Sequence, residues 1–407
     1  MEGARLLQKL RLTNLLSYGP EGADIELEPL NVLIGPNGSG KSNFVQAIGL
    51  LKAAPKDVAA PIRAGGGMPE WPWKGGGGSP AIDLEVEATV AYPEGTSPLR
   101  HRFQLLRVGQ GLEVISEVIE SEQPPGQPAE AASSFYSFDG AKAVLSVRQQ
   151  TQTPSGDGVG RSQRHLDRRD LNPGYSILSQ LEDPYQYPEI TYLRRVYPDI
   201  QLFRTCHLGP GSVLLGPQSA SEFAGFVVED GSNLGMVINN VFNDLSAKKR
   251  ILDELRRFYE PVEDLSQRVV ANTIETLIHE RGLFRPTPTN RLSDGTLRYL
   301  LLLAILCHPS PPPLICLEDP EIALHPDALG RLGQLLKEAC AKTQLIVTTH
   351  SDALVSALSD VPEAVVICEK DAWGSHLRRL DPAALKEWLE DYTLGDLWRM
   401  GETGGNP

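Results

Sequence analysis

Residues Gly35-Pro36-Asn37-Gly38-Ser39-Gly40-Lys41-Ser42 set three glycines, a lysine and a terminal hydroxyl in one short run. That set of residue types suits a phosphate chain. Glycines let backbone N–H groups turn inward around phosphate oxygens, and a helix starting at the end of the run adds its partial positive charge. Lys41 would reach the β- and γ-phosphates, Ser42 would offer its hydroxyl to Mg2+, and Asn43 follows inside the same turn. A second group lies far along the chain, where "LICL" (314–317) runs straight into Glu318 and Asp319 and on through "PEIALHP". Acidic residues after a strand commonly just begin a solvated loop. Here the phosphate loop gives them a use, because a metal-bound phosphate calls for a carboxylate at the end of a neighbouring strand. A third apolar run, "LIVTT", ends at His350. A lone histidine is more often structural, but one at the C-terminal end of a buried parallel strand faces the ligand crevice, where a γ-phosphate contact is open to it.

These groups need strands and helices to hold them. Leu314 to Leu317 reads as a fully buried parallel strand. After the glycine run, Phe44, Val45, Ile48 and Leu51 fall at helical spacing, so the loop joins a strand to a helix. "KLRLTNLLSYG" and "ADIELEPLNVLIG" alternate as two strands joined by a Gly-Pro turn, and residues 55–80 form a long loop rich in Gly and Pro. "AIDLEVEATVAYP", "LRHRFQLLRV" and "GLEVISEVIE" alternate with period two and predict an antiparallel meander. Residues 121–170 are low in complexity and predict a flexible surface excursion, whose basic end "RSQRHLDRR" is open to phosphates or simply solvated. The stretch 174–261 reads mostly as helix, with a hairpin in 265–290. Then "TLRYLLLLAILC", "LICL", "DALGRLGQLLKEA" and "QLIVTT" alternate helix and strand, and "AVVICEKDAWGSHLRRL" is a last hairpin. The division is therefore an N-terminal part of a nucleotide-binding lobe (1–173), an inserted helical lobe with a hairpin (174–290) and a C-terminal part of the first lobe (291–407). The fold class is α/β, a P-loop NTPase with a mixed sheet, an antiparallel β meander and an inserted helical lobe.

Composition sets the limits. A chain of 407 residues at 41% hydrophobic can bury a sizeable core. No apolar run is long enough to span a bilayer and the first residues lack a secretion signal, so no membrane association and a cytoplasmic location are expected. The five cysteines (Cys206, Cys307, Cys316, Cys340, Cys368) are odd in number and scattered, against a disulfide framework or a zinc site. A net charge of −14 does not support nucleic-acid binding by the chain as a whole.

"RLSDGTLRYLLLLAIL" adds a second glycine-containing helix start, Leu292 to Gly295. With Gly35–Ser42, Glu318–Asp319 and His350 it resembles, in order and type, an ABC-type ATPase head. "NLLSYG", "LNVLIGPNGSGKSNF", "LSDGTLR", "EDPEIALHP" and "TTHSDALV" are similar to the RecF/SMC/OLD branch, covering the whole chain order through about a seventh of its residues. The resemblance departs from transporter cassettes, since Leu292–Gly295 reads Ser-Asp-Gly. It implies bound ATP and Mg2+, the latter at Ser42 and Glu318. It also implies a homodimer in which Ser293 and Gly295 act on the opposing subunit's ATP, with Asp319 polarising the attacking water and His350 sensing the γ-phosphate. The segment Glu321–His325 would cross the dimer interface. The glutamine that reaches the metal in this branch is not recognisable; Gln180 is a weak substitute.

With no coiled coil, no Cys-x-x-Cys hook and only 57 residues after His350, neither a tethering arm nor an appended nuclease is expected. The leading expectation is an ATP-hydrolysing dimeric switch that controls a DNA-repair or antiviral-defence process or a separate protein effector. The alternatives are an ATP-dependent assembly scaffold with negligible hydrolysis and a RecF-like binder of DNA structures. Most heads of this class end the strand in Asp then Glu. The reversed order here lengthens the metal-side carboxylate and shortens the water-side one, so slow hydrolysis is expected.

Overall fold

The computed structural model describes residues 2–75, 83–109, 111–122, 133–153, 156–204, 211–222 and 225–405. Its centre is a six-stranded sheet ordered Gln201–Phe203, Leu314–Glu318, Gln344–Thr348, Leu30–Ile34, Val365–Asp371, Gly374–Arg379. The first five strands run parallel, and the last pairs back as an antiparallel hairpin. Successive side chains on a strand point to opposite faces, and here both faces are dry. Leu30, Val32, Ile34, Ile315, Leu317, Leu345 and Val347 enter one core. Leu33, Leu314, Cys316, Ile346 and Val366 enter the other. That is why these strands read as continuous apolar runs.

Each core is filled by the helix that starts from a glycine-bearing turn. The helix Lys41–Ala53 sends Phe44, Val45, Ile48 and Leu51 into the second core. The helix Asp294–Leu306 is buried from Thr296 to its end and fills the first, with Leu329, Leu332 and Leu336 of the helix Pro326–Ala339. The helices Leu234–Val241 and Leu245–Phe258 join this first core beside the hairpin Val262–Val270/Thr273–Glu280. Glu254 of Leu245–Phe258 takes both Nε and Nη2 of Arg331 at 2.5 and 2.6 Å. The helix Pro188–Val196 packs instead in the second core through Ile190 and Leu193.

The second core is closed by an eight-stranded antiparallel sheet ordered Ala23–Glu26, Leu7–Thr13, Asp83–Val90, Leu99–Val108, Gly111–Ser121, Ser134–Phe138, Lys142–Thr153, Gly156–Asp167. Two expectations change here. The run read as one strand through "ADIELEPLNVLIG" divides at Leu27–Pro29. Pro29 lacks an N–H for a ladder, so Ala23–Glu26 stays in the antiparallel sheet while Leu30–Ile34 crosses to the parallel one. The segment expected as a flexible excursion instead supplies three strands; its residues 123–132 and 154–155 lie outside the described ones. Tyr136, Phe138, Ala143 and Leu145 bury one face of it, and Arg161 of the basic run is paired with Glu189. Cys206 also lies outside the described residues, and the other four cysteines are buried thiols. Among the described residues no helix is long and apolar enough to cross a membrane.

Two side chains that tie the sheets are Arg379, which donates to the Glu26 carbonyl at 2.6 Å, and Gln344. Gln344, fully buried at the start of its parallel strand, accepts from the N–H groups of Leu6 and Leu7 at 3.1 and 2.8 Å. Its amide donates to the Leu7 and Glu28 carbonyls at 2.7 and 3.1 Å. Gln344→Ala removes all four bonds in a dry place and should lower stability by about 2–4 kcal/mol in urea unfolding. A loss below about 1 kcal/mol would mean that the sheets are held together without it.

Candidate functional site

The parallel strand Leu30–Ile34 ends at Gly35, and the chain turns through Gly38 and Gly40 into the helix at Lys41. The turn needs glycine. Gly35, Gly38 and Gly40 have φ of +145°, +79° and +115°, all in the range L side chains avoid. Space is also lacking: a Cβ on Gly35 would lie 2.1 Å from the Cys368 carbonyl oxygen, and one on Gly40 would lie 2.4 Å from Ser375 Oγ and 2.7 Å from Ser17 Oγ. Tyr18 OH donates to the Gly40 carbonyl and Cys368 Sγ to the Ser39 carbonyl, at 3.0 and 3.1 Å. The loop is thus held from below by the 15–19 turn and by the hairpin Val365–Asp371/Gly374–Arg379.

Above it lies a cavity of about 170 Å3 lined by Asn37, Gly38, Gly40, Lys41, Ser42, Asn43, Asp319, Thr348 and His350. Three segments far apart in the chain meet there. Lys41 Nζ donates to the Gly35 and Pro36 carbonyls at 2.7 and 3.1 Å. Burial pushes its pKa down, while Cys368, Asp319 and Glu321 pull it up. Ser42 hydrogen-bonds to the Glu318 carboxylate, which burial pushes above the ordinary range and Arg204 pulls back. A hydroxyl and a carboxylate side by side at a phosphate cradle are hard oxygen donors. They suit Mg2+, which takes most of its remaining ligands from phosphate and water.

Asp319 follows the strand Leu314–Glu318 with φ +44°, a left-handed bend unusual for a non-glycine residue. Its N–H bonds to the Thr348 carbonyl at 3.0 Å, and Thr348 Oγ1 donates to Asp319 Oδ1 at 3.4 Å. The bend separates two adjacent carboxylates. Glu318 reaches Ser42, and Asp319 lines the cavity. Glu321 turns inward and accepts from Thr349 Oγ1 at 2.6 Å and from the His350 N–H at 2.9 Å, so it fixes the backbone that presents His350 to the cavity.

Ser293 and Gly295 do not line this cavity. Ser293 is exposed and caps the helix Asp294–Leu306 by accepting from the Thr296 N–H at 3.2 Å. A Cβ on Gly295 would sit 2.7 Å from the Ala323 carbonyl oxygen, so glycine lets the helix start approach the 319–325 segment. Arg298, buried on the same helix, donates to the Asp319 carbonyl at 3.3 Å. Gln180 is a correction. Its amide is spent on Asn172, Tyr175 and Ser176, and it lies outside the cavity lining. The group that reaches Glu318 is Arg204, with Nε 2.8 Å from Oε1.

Sequence reasoning missed Arg204, Glu321's clamp, Thr348 and Arg298. Arg204 follows a three-residue edge strand too short to show a period. Arg298 and Thr348 lie within quoted motifs, and a charged or hydroxyl side chain inside an otherwise apolar run was the available signal.

The model of the family described as "AAA domain, putative AbiEii toxin, Type IV TA system" matches residues 30–115 and 216–356. Among solved structures, the chain resembles an SMC head bound to the C-terminal winged-helix domain of ScpA, at 15% identity and a TM-score of 0.58, covering 93% of this chain and 99% of that one. It also resembles an SMC head with an extended coiled coil bound to the C-terminal domain of ScpA, derived from Pyrococcus furiosus, at 13% identity and a TM-score of 0.51, covering 95% and 99%. These likenesses show the fold, an α/β head of the P-loop NTPase type. No curated protein matches the chain.

Gly40→Ala should abolish nucleotide binding more than it harms the fold, because the added methyl must displace Ser375 and Ser17 from under the loop. We expect calorimetric ATP affinity to fall at least about tenfold, a loss of about 1.4 kcal/mol or more. Unchanged affinity would show that the loop can shift without cost.

Proposed function

From the premise that the chain belongs to the AAA-domain family whose model covers both its phosphate loop and its carboxylate strand, we propose that it is an ATP-binding and ATP-hydrolysing switch that closes head to tail as a homodimer. The observation that carries this reading is the division of labour among its motifs. Lys41, Ser42, Asp319 and His350 converge on one cavity with Glu318 beside Ser42, whereas Ser293 stands exposed outside it at the start of a buried helix. Ser293 caps its own helix, and the exposed helix start it leaves is an arrangement that suits an anion arriving from outside. Facing a second copy, it would close over the γ-phosphate.

In this proposal the loop N–H groups and Lys41 bind the β- and γ-phosphates. Ser42 and Glu318 would hold Mg2+, which would neutralise charge on the phosphate oxygens. Asp319 orients and deprotonates the attacking water, and His350 contacts the γ-phosphate from a backbone fixed by Glu321. Asp319 is short and sits on a left-handed bend pinned by Thr348 and Arg298. A base so held cannot extend toward the water, which supports slow turnover and a long-lived closed dimer. The switch would act on a separate protein effector, in DNA repair or antiviral defence. Two solved heads of similar fold were crystallised with domains of ScpA, and the matched family carries a toxin–antitoxin description, which fits a partner-directed role.

Single-turnover measurements test the chemistry. Asp319→Asn should slow hydrolysis by at least about a hundredfold while keeping the ATP-dependent dimer, since an amide of similar size cannot take the proton. Wild-type rates in that variant would remove Asp319 from the water side. Ser293→Arg tests the assembly. ATP affinity should stay within about threefold, because the cavity does not include Ser293, and ATP-dependent dimerisation in sedimentation should disappear. Hydrolysis at the wild-type rate by a monomeric Ser293→Arg protein would overturn the head-to-tail site.

A further inference from the structure

A larger cavity, of about 590 Å3, has in its lining Arg204, the residue that pairs with Glu318. Its walls are the helix Lys41–Ala53 at Gly49 and Ala53, the short helix Ala60–Ala64, Trp71, and Leu202 of the edge strand. Small residues make the room. A Cβ on Gly49 would touch the Leu202 side chain at 3.4 Å, so any larger residue there would narrow the cleft. The volume falls in the range that holds a drug-sized molecule, and the walls are mostly apolar, as such sites are.

The charges around it are unequal in what they leave over. Glu229 is satisfied internally, accepting from the Leu202 N–H at 3.0 Å and from Lys52 at 2.5 Å. Asp57 is taken by Arg63 and by the Ala59 N–H. Lys56 is exposed on the rim and forms no ion pair among the described residues. Arg204 lines the cleft and spends Nε on Glu318, while its guanidinium carries further donors. Lys56 is therefore the unpaired cation, and Arg204 is a cation held by a single bond to Glu318.

We propose that this cleft binds a small anionic molecule with a flat apolar body, and that the ligand raises the affinity of the ATP site for Mg-ATP. The apolar body would lie along Ala53, Pro61 and Leu202, and the anion would pair with Arg204 and Lys56. Arg204 is the link. A guanidinium drawn toward the ligand's anion leaves Glu318, and its positive charge moves away from the carboxylate proposed to hold Mg2+. Coupling between two sites is reciprocal, so Mg-ATP must strengthen ligand binding by the same factor. The coupling rests on the proposed role of Glu318; the cleft does not.

Anilinonaphthalene sulfonate is a suitable probe, with its uncharged analogue N-phenylnaphthylamine as control. In fluorescence titrations the wild type should show one saturable sulfonate site, at least about tenfold tighter than the uncharged analogue. Ala60→Trp and Ala64→Trp, both at exposed wall positions, should abolish it, and Arg204→Gln should reduce the sulfonate to the affinity of the analogue. Saturating probe should raise Mg-ATP affinity about threefold or more, with no effect on ATP in EDTA. Absence of a saturable site, or binding indifferent to both tryptophans, overturns the cleft. Binding without coupling overturns the Arg204 link. Neither result bears on Asp319→Asn or Ser293→Arg, so the two proposals fail separately.

Discussion

The rest of the structure is arranged around the tight packing under the phosphate loop. Gly35 and Gly40 lie against the Cys368 carbonyl and the hydroxyls of Ser17 and Ser375 with no room for a methyl group. This contact forces the loop to be glycine, and it also fixes what may surround it. The hairpin of Val365–Asp371 and Gly374–Arg379 must pair beside Leu30–Ile34, and the 15–19 turn must fold over Trp71 and the Gly374 corner. Ser375 N–H bonds to the Ser17 carbonyl at 2.7 Å, so the two supports hold each other as well as the loop. The antiparallel sheet is drawn in through the same turn, which continues from its strand Leu7–Thr13.

Above the loop, geometry is set by backbone more than by side-chain reach. Adjacent carboxylates on a straight strand would point to opposite faces. The strand instead ends at Glu318, and the left-handed Asp319 redirects the second carboxylate into the cavity. That bend is held from three directions: by the Thr348 carbonyl, by the Thr348 hydroxyl and by Arg298 from the opposite core. Arg298 thereby joins the helix Asp294–Leu306 to the carboxylate strand within one subunit.

How much of this was legible depends on whether the determinant is local. Gly35 to Ser42 could be read outright, since its residue types dictate their own backbone, and the buried runs 314–317 and 344–348 announce parallel strands by apolar continuity. The strands within 134–167 were hidden because Ser137, Ser146 and Gln163 on the other face dilute the alternation that Tyr136, Phe138, Ala143 and Leu145 set on the inner face. Gln180 looked available because it was a glutamine in a helix; only the fold reveals that its amide is committed to the 172–176 turn. Arg204 could not be found because its partner, Glu318, is a long-range neighbour brought close by pairing of Gln201–Phe203 with Leu314–Glu318. Tertiary pairing decides such residues, and sequence period carries no trace of it.

The cost of the site is visible in its unpaired atoms. Among the described residues, nine buried side-chain polar atoms lack a protein hydrogen-bond partner, and five belong to Ser17, Ser39, Ser375, Arg298 and Glu321. All five residues touch the phosphate loop or the carboxylate segment, or clamp His350. An unsatisfied buried polar group costs on the order of 1–3 kcal/mol, so gathering them in one region is unfavourable for folding alone. Elsewhere the chain satisfies comparable groups thoroughly: Gln344 uses both ends of its amide, and Glu117 takes His101, Ser176 and the Ile177 N–H in a dry interior. The same sequence that completes those networks leaves the loop's surroundings incomplete. The five residues stand behind the cavity and not in its lining, so these unpaired atoms belong to the structure that supports the loop and the carboxylate segment.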